Sequence, residues 1–175
     1  MNSKMNSCIH IYTGNGKGKT TAAFGQALRA AGAGMKVYIA QFVKGLDYSE
    51  IAVVRKNIPQ IRIEQFGRGC FIVKEPAEED IKAARRGLEK VKSIVHTGNF
   101  DMVVLDEIFI ALFYKLFSIE EVIEILENKP DKLEVIMTGR YAPAELIELA
   151  DLVTEMKEVK HYYQQGVEAR EGIEF

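Results

Sequence analysis

The residues best suited to chemistry lie in one short run, Thr13-Gly14-Asn15-Gly16-Lys17-Gly18-Lys19-Thr20-Thr21. Glycines let a backbone turn tightly and bring amide N–H groups against phosphate oxygens. Lys19 adds a mobile positive charge, and the Thr20 hydroxyl is a ligand type for magnesium. An apolar, β-rich stretch precedes the run and an alanine-rich stretch follows it, which is the strand–loop–helix setting of a Walker A loop. The helix directs the positive end of its dipole at the same anions. The usual first glycine falls on Thr13, so the loop reads G-x-x-x-G-K-T. A dinucleotide fingerprint does not fit, because the glycines are spaced G-x-G-x-G and Lys-Thr follows directly. The loop specifies a nucleoside-triphosphate site and leaves the reaction open.

A second signal is Met102-Val103-Val104-Leu105-Asp106-Glu107, a run of apolar residues closed by acid. This is the Walker B pattern. A buried strand of this kind ends at the ligand crevice of an α/β sheet. A carboxylate there holds magnesium directly or through water. Asp106 and Glu107 are consecutive, so they point in different directions and take different roles.

Such groups need elements to position them. Residues 8–13 predict a strand and residues 19–33 a helix rich in alanine, ended by Gly32 and Gly34. Residues 35–43 predict a second apolar strand, 48–56 a helix, and 61–66, which alternates apolar and polar, a less buried strand. A long helix is expected over 77–96, with Ile81, Ala84, Leu88, Val91 and Val95 forming one apolar stripe. Arg85, Arg86, Lys90 and Lys92 fall largely off that stripe and read as a solvated face. Strands follow at 101–106, 133–138 and 152–156, with helices at 118–129, opened by the capping box Ser118-x-x-Glu121, and at 143–150. Residues 161–175 show no clear period. Strand–helix alternation with near-continuous apolar strands predicts a mostly parallel sheet covered on both faces. No repeat or linker interrupts the chain, so residues 1–175 read as a single domain.

Composition narrows the class. The chain has 175 residues, 47% hydrophobic and 27% charged, with a formal net charge of −2. Such a balance fits a globular protein and argues against a general nucleic-acid binder. Cys8 and Cys70 form neither a CxxC pair nor a disulfide framework and read as reduced and buried. The polar start lacks the apolar run of a signal peptide, and no stretch approaches a membrane span. The expected location is the cytoplasm.

The motifs together closely resemble the P-loop ATP:corrinoid adenosyltransferases. The resemblance rests on YTGNGKGKTTAAFG (12–25), AQFVKG (40–45), MVVLDEI (102–108), MTGR (137–140), ADLVTEM (150–156), VKH (159–161) and residues 166–175 ending GIEF. It covers nearly the whole chain in order. It implies a RecA-like α/β fold, a homodimer, ATP with magnesium or manganese, and a corrinoid (cobalamin or cobinamide) reduced to cobalt(I) by a reductase. The implied products are the adenosylated corrinoid and free triphosphate.

Matching positions carry roles over. Gly14, Asn15, Gly16, Lys17, Gly18, Lys19, Thr20 and Thr21 would hold the triphosphate. Thr20 and Glu107 would hold the metal, with Asp106 beside them. Arg29 matches an arginine near the nucleotide, Arg140 follows the Thr138-Gly139 turn within reach of the crevice, and His161 lies in a matching segment. Lys19, Glu107 and Arg140 are the expected catalytic groups. His10 and His96 read as structural. The chain departs from its relatives in two places. Cys70-Phe71-Ile72 stands where well-known members carry Phe-Thr-Trp in the corrinoid loop, so Phe71 is the remaining aromatic for displacing the lower ligand of cobalt. Seven residues precede the first strand, where longer members have a leading segment over the site. A small-molecule kinase or ATPase would use the same loop and release ADP. A non-catalytic ATP-dependent binding protein would turn nothing over.

Overall fold

The structure, a computed structural model, describes residues 7–46, 48–69 and 75–175. Its centre is a sheet of six strands: β1 (Ile9–Thr13), β2 (Val37–Phe42), β3 (Ile61–Phe66), β4 (Met102–Asp106), β5 (Glu134–Thr138) and β6 (Leu152–Glu155). The order is β3-β2-β4-β5-β1-β6 and every pairing is parallel. This is the α/β arrangement expected of a RecA-like P-loop fold. The three central strands β2, β4 and β5 are almost wholly buried, as strands covered on both faces must be. The edges differ: β3 is partly open, as its alternation predicts, and β6 is exposed along its length.

Helices cover both faces. On one side lie α1 (Lys19–Gly32) and α2 (Ser49–Asn57), packing Ala23, Ala27 and Ile51 against Val37, Ile39, Met102 and Val104. Alanines in α1 let its axis approach the sheet closely. On the other side lie α3 (Glu78–Thr97), α4 (Ile108–Phe113), α5 (Ile119–Glu127) and α6 (Ala144–Leu149). The α3 stripe is buried at Ala84, Leu88, Val91 and Val95, while Arg85, Arg86 and Lys92 face solvent. The Ser118–Glu121 capping box forms, with both reciprocal bonds present.

Helix α4 has no forecast in the sequence. It follows directly from the Walker B strand, and Ile108, Phe109 and Ala111 carry no polar face that would mark it as amphipathic. The tail forms a short 3₁₀ turn, Tyr162–Gln165. Cys8 corrects the expectation of a buried thiol: it is half-buried, though free of any disulfide. His10 pairs with Glu134 at 2.6 Å, a structural role. Among the described residues no helix is long and apolar enough to cross a membrane.

Strand alternation decides what the sheet presents to α1. Val37 and Ile39 of β2, Met102 and Val104 of β4, and Ile136 of β5 all face α1. A period of two carries that face on to Gln41, Asp106 and Thr138. Gln41 is registered opposite Asp106, and Leu105 opposite Met137, so the three polar side chains end neighbouring strands side by side. They lie beneath the first turn of α1.

Candidate active site

The phosphate loop joins β1 to α1, with Gly18 as the N-cap of the helix. Its shape depends on the chain beyond β6. The Met156 N–H donates to the Thr13 carbonyl at 2.8 Å, and the Gly16 N–H donates to the Met156 carbonyl at 2.6 Å. A Cβ at Gly14 or Gly16 would lie 2.5 or 2.7 Å from that carbonyl oxygen. Gly14 also has φ +98, which side chains rarely adopt. Backbone cannot yield as a flexible side chain does. Gly16→Ala is therefore expected to displace the loop and weaken ATP binding on the order of 10- to 100-fold. Isothermal titration with ATP checks this; unchanged affinity would contradict the proposed fit.

Lys19 is buried and folds over the loop, its ammonium 2.8 Å from both the Gly14 and Gly16 carbonyl oxygens. Burial lowers its pKa, with the charge of Glu107 opposing that shift. Thr20, in the first turn of α1, donates to Asp106 Oδ1 at 2.9 Å. Thr138 donates to the same oxygen at 2.7 Å. Gln41 and Lys44 donate to Asp106 Oδ2 at 3.0 and 2.8 Å. Burial alone would push the Asp106 carboxyl up. The Lys44 ammonium and the three hydrogen bonds from Lys44, Thr138 and Thr20 outweigh it, and the net direction is down.

Glu107 takes a left-handed backbone conformation, φ 58, and donates its N–H to Thr138 Oγ1 at 3.0 Å. That twist separates it from Asp106 and turns it toward the cleft, which it lines. Burial, then the negative charge of Asp106, raises its pKa; Lys44, Lys19 and Arg140 restrain the rise.

A cleft of about 470 Å³ opens above these groups, with Lys19, Thr20, Lys44, Tyr48 and Glu107 on one side and Phe175 on the other. The C-terminal tail forms that second wall. Lys17 holds it, donating to Tyr162 Oη at 3.0 Å, the Ile173 carbonyl at 2.7 Å and Glu174 Oε1 at 2.7 Å. Tyr162 also hydrogen-bonds Glu174. These bonds, from Lys17 first and Tyr162 second, hold the Glu174 carboxyl down to about 2.

The structure thus brings Gly14, Asn15, Gly16, Lys17, Gly18, Lys19, Thr20 and Thr21 together on one loop, with Asp106 and Glu107 beside it. Arg140 is exposed just after β5 and does not line the cleft, though its charge acts on both Lys19 and Glu107. Arg29 does not join them. It lies in the last turn of α1, about 15 Å along the axis from Lys19, where it donates to Gln26 at 3.4 Å. His161 caps the 3₁₀ turn, its Nδ1 accepting from the Tyr163 N–H at 3.1 Å. Phe71 and its neighbours Cys70 and Ile72 lie outside the described residues.

Sequence reasoning assigned no role to Gln41, Lys44 or Tyr162. The strand period carried a signal for Gln41, since it shares the face of Asp106. Lys44 lies past the strand end, where no period reaches.

The donor set suits a divalent ion. A hydroxyl and two carboxylates are hard oxygen ligands of the kind magnesium takes. The Lys44 ammonium already stands as a cation between Thr20 Oγ1, at 3.1 Å, and Asp106 Oδ2. Among the described residues no group of three or more His, Cys, Asp and Glu gathers as a metal cage, so such an ion would complete its shell with nucleotide and water oxygens.

The profile of the family described as ATP:corrinoid adenosyltransferase BtuR/CobO/CobP matches residues 5–175. A corrinoid adenosyltransferase of Sinorhizobium sp is 38% identical over 170 residues, covering 95% of this chain and 79% of that protein. The corrinoid adenosyltransferase of Escherichia coli K12 is 37% identical, covering 95% of this chain and 85% of its own. The corrinoid adenosyltransferase CobA of Salmonella typhimurium LT2 is 36% identical over the same shares, 95% and 85%. A phosphate loop whose threonine meets the Walker B aspartate, in a chain matched from near its first residue to its last, belongs to the ATP:corrinoid adenosyltransferase family of transferases.

Proposed function

We propose that this chain, acting as one domain, transfers the 5′-deoxyadenosyl group of ATP to the cobalt(I) of a corrinoid and releases triphosphate. The family match over residues 5–175 carries this reading, and the direct bond between Thr20 and the buried Asp106, which ties the phosphate loop to the Walker B strand, supplies the nucleotide site it needs. The corrinoid is the substrate. Its cobalt(I) supplies the electron pair for a new cobalt–carbon bond at C5′. The C5′–O bond breaks, and its pair leaves with the triphosphate, while cobalt becomes formally cobalt(III).

Negative charge therefore grows at the α-phosphate end of the leaving group. The chain's own residues answer that charge. Lys19 exchanges its two loop carbonyls for phosphate oxygens, and the loop amides and the α1 dipole add fixed positive potential. Arg140 supports the same charge from just after β5. Thr20, Asp106 and Glu107 would hold magnesium or manganese, which when bound supplies further positive charge to the triphosphate. Phe175 and the tail form one side of the cleft.

We further assign a cytoplasmic site of action, where ATP is supplied, a homodimeric assembly, and a reductase as the source of cobalt(I). Phosphorus NMR of the spent reaction tests the chemistry: triphosphate supports attack at C5′, and ADP would move the reading to a kinase or ATPase. Glu107→Gln is expected to raise the magnesium concentration for half-maximal activity about 10- to 100-fold, with the corrinoid KM nearly unchanged. An unaltered magnesium titration would contradict the role given to Glu107.

A further inference from the structure

The ammonium of Lys44 stands where a divalent ion would need to be. It is 2.8 Å from Asp106 Oδ2 and 3.1 Å from Thr20 Oγ1. Those are the oxygens that the reading above gives to magnesium. An ion at about 2.1 Å from such oxygens and an ammonium about 3 Å from them cannot share the place. We propose that Lys44 is a tethered cation that occupies the Thr20–Asp106 position in the free protein and yields it when the metal arrives with nucleotide.

Burial gives the first reason. Asp106 is wholly buried, and an uncompensated carboxylate there is strongly unfavourable. Lys44, with a side chain 15% exposed, neutralises it from within the chain. A free divalent ion must therefore displace a cation that is already bonded. A metal–triphosphate complex meets a lower barrier. It brings its own oxygens for the metal and offers the departing ammonium an anionic partner. Lys44 also lines the cleft that would receive that anion.

The second reason is how Lys44 is held. Val43, just before it, has φ 61, a conformation that a β-branched residue seldom adopts. The Val43 N–H bonds the Phe66 carbonyl at 3.3 Å, and the Gly45 N–H bonds the Gly69 carbonyl at 2.7 Å. Gly45 and Gly67 approach so closely that a Cβ on either would lie within 2.5 Å of backbone on the other strand end. The strained root is thus fixed on both sides and aims the side chain inward. The Tyr48 ring centroid lies 5.7 Å from the ammonium.

The proposal rests on Thr20 and Asp106 as the metal position, and the test separates the two. Binding of manganese(II) alone is measured by electron paramagnetic resonance on the free protein, without ATP. Lys44→Gln keeps a donor to the carboxylate but removes the charge. It is expected to bind manganese at least tenfold more tightly than the wild type, and Lys44→Arg is expected to stay as weak as the wild type. Thermal melts give a second readout: manganese should raise the melting temperature of Lys44→Gln more than that of the wild type. Equal or weaker manganese binding by Lys44→Gln, with Asp106→Asn still abolishing binding of manganese–ATP, would overturn the tether and leave the metal position standing. Unchanged manganese–ATP binding in Asp106→Asn would overturn both.

Discussion

Lys19→Ala is expected to lower kcat/KM for ATP by about 100- to 1000-fold, the scale of removing one preorganised donor from a developing anion. The ammonium is buried and held by two loop carbonyls, each 2.8 Å away. Exchange of those carbonyls for phosphate oxygens needs little reorganisation, because the side chain already lies along the loop. Alanine removes the charge and leaves the backbone intact. Folding should survive, since no carboxylate depends on Lys19 through a hydrogen bond or ion pair among the described residues. Steady-state kinetics beside a thermal melt checks both halves. A loss under tenfold in a folded variant would remove Lys19 from the catalytic set.

Asp106→Asn is expected to damage stability as well as activity. The carboxylate accepts from Thr20, Thr138, Gln41 and Lys44. An amide can reverse its bonds with the two hydroxyls, which both donate and accept. It cannot replace the charge that Lys44 faces. A buried cation that loses its partner costs about 3–5 kcal/mol, which lowers the melting temperature on the order of 10 °C in a domain of this size. The sign with pH follows from the depressed carboxyl. Asp106 is held below its unfolded value, so its stabilisation is present above about pH 4 and is lost as the pH falls further. The gap between wild type and variant should therefore narrow in acid. A melting temperature within about 2 °C of wild type at neutral pH would contradict the counter-ion account.

Legibility differed between parts of the molecule for physical reasons. The strands could be read because β2, β4 and β5 are buried on both faces and carry near-continuous apolar runs. The phosphate loop could be read because few residue types allow φ +98 at Gly14 or the approach of Met156 to Gly16. The partners of Asp106 were harder. Gln41 and Thr138 are ordinary residues until strand register sets them on either side of Asp106, and register is a property of the assembled sheet. Lys44 depends on the left-handed turn at Val43, which a valine gives no reason to expect. The tail was illegible because its order comes from contacts across the fold. Lys17 holds Glu174, 157 residues away, and no local period encodes that pairing. Arg29 lies at the end of α1 away from Lys19, a separation that helix rise fixes whatever the residue type.

Adenosyl transfer itself is tested most directly by mixing the protein anaerobically with magnesium, ATP and chemically reduced cobalamin and following the visible spectrum. Loss of the cobalt(I) bands, growth of a light-sensitive alkylcobalamin spectrum, and dependence of both on Lys19 are the expected result. A spectrum that stays that of cobalt(I) while ATP is hydrolysed would contradict it.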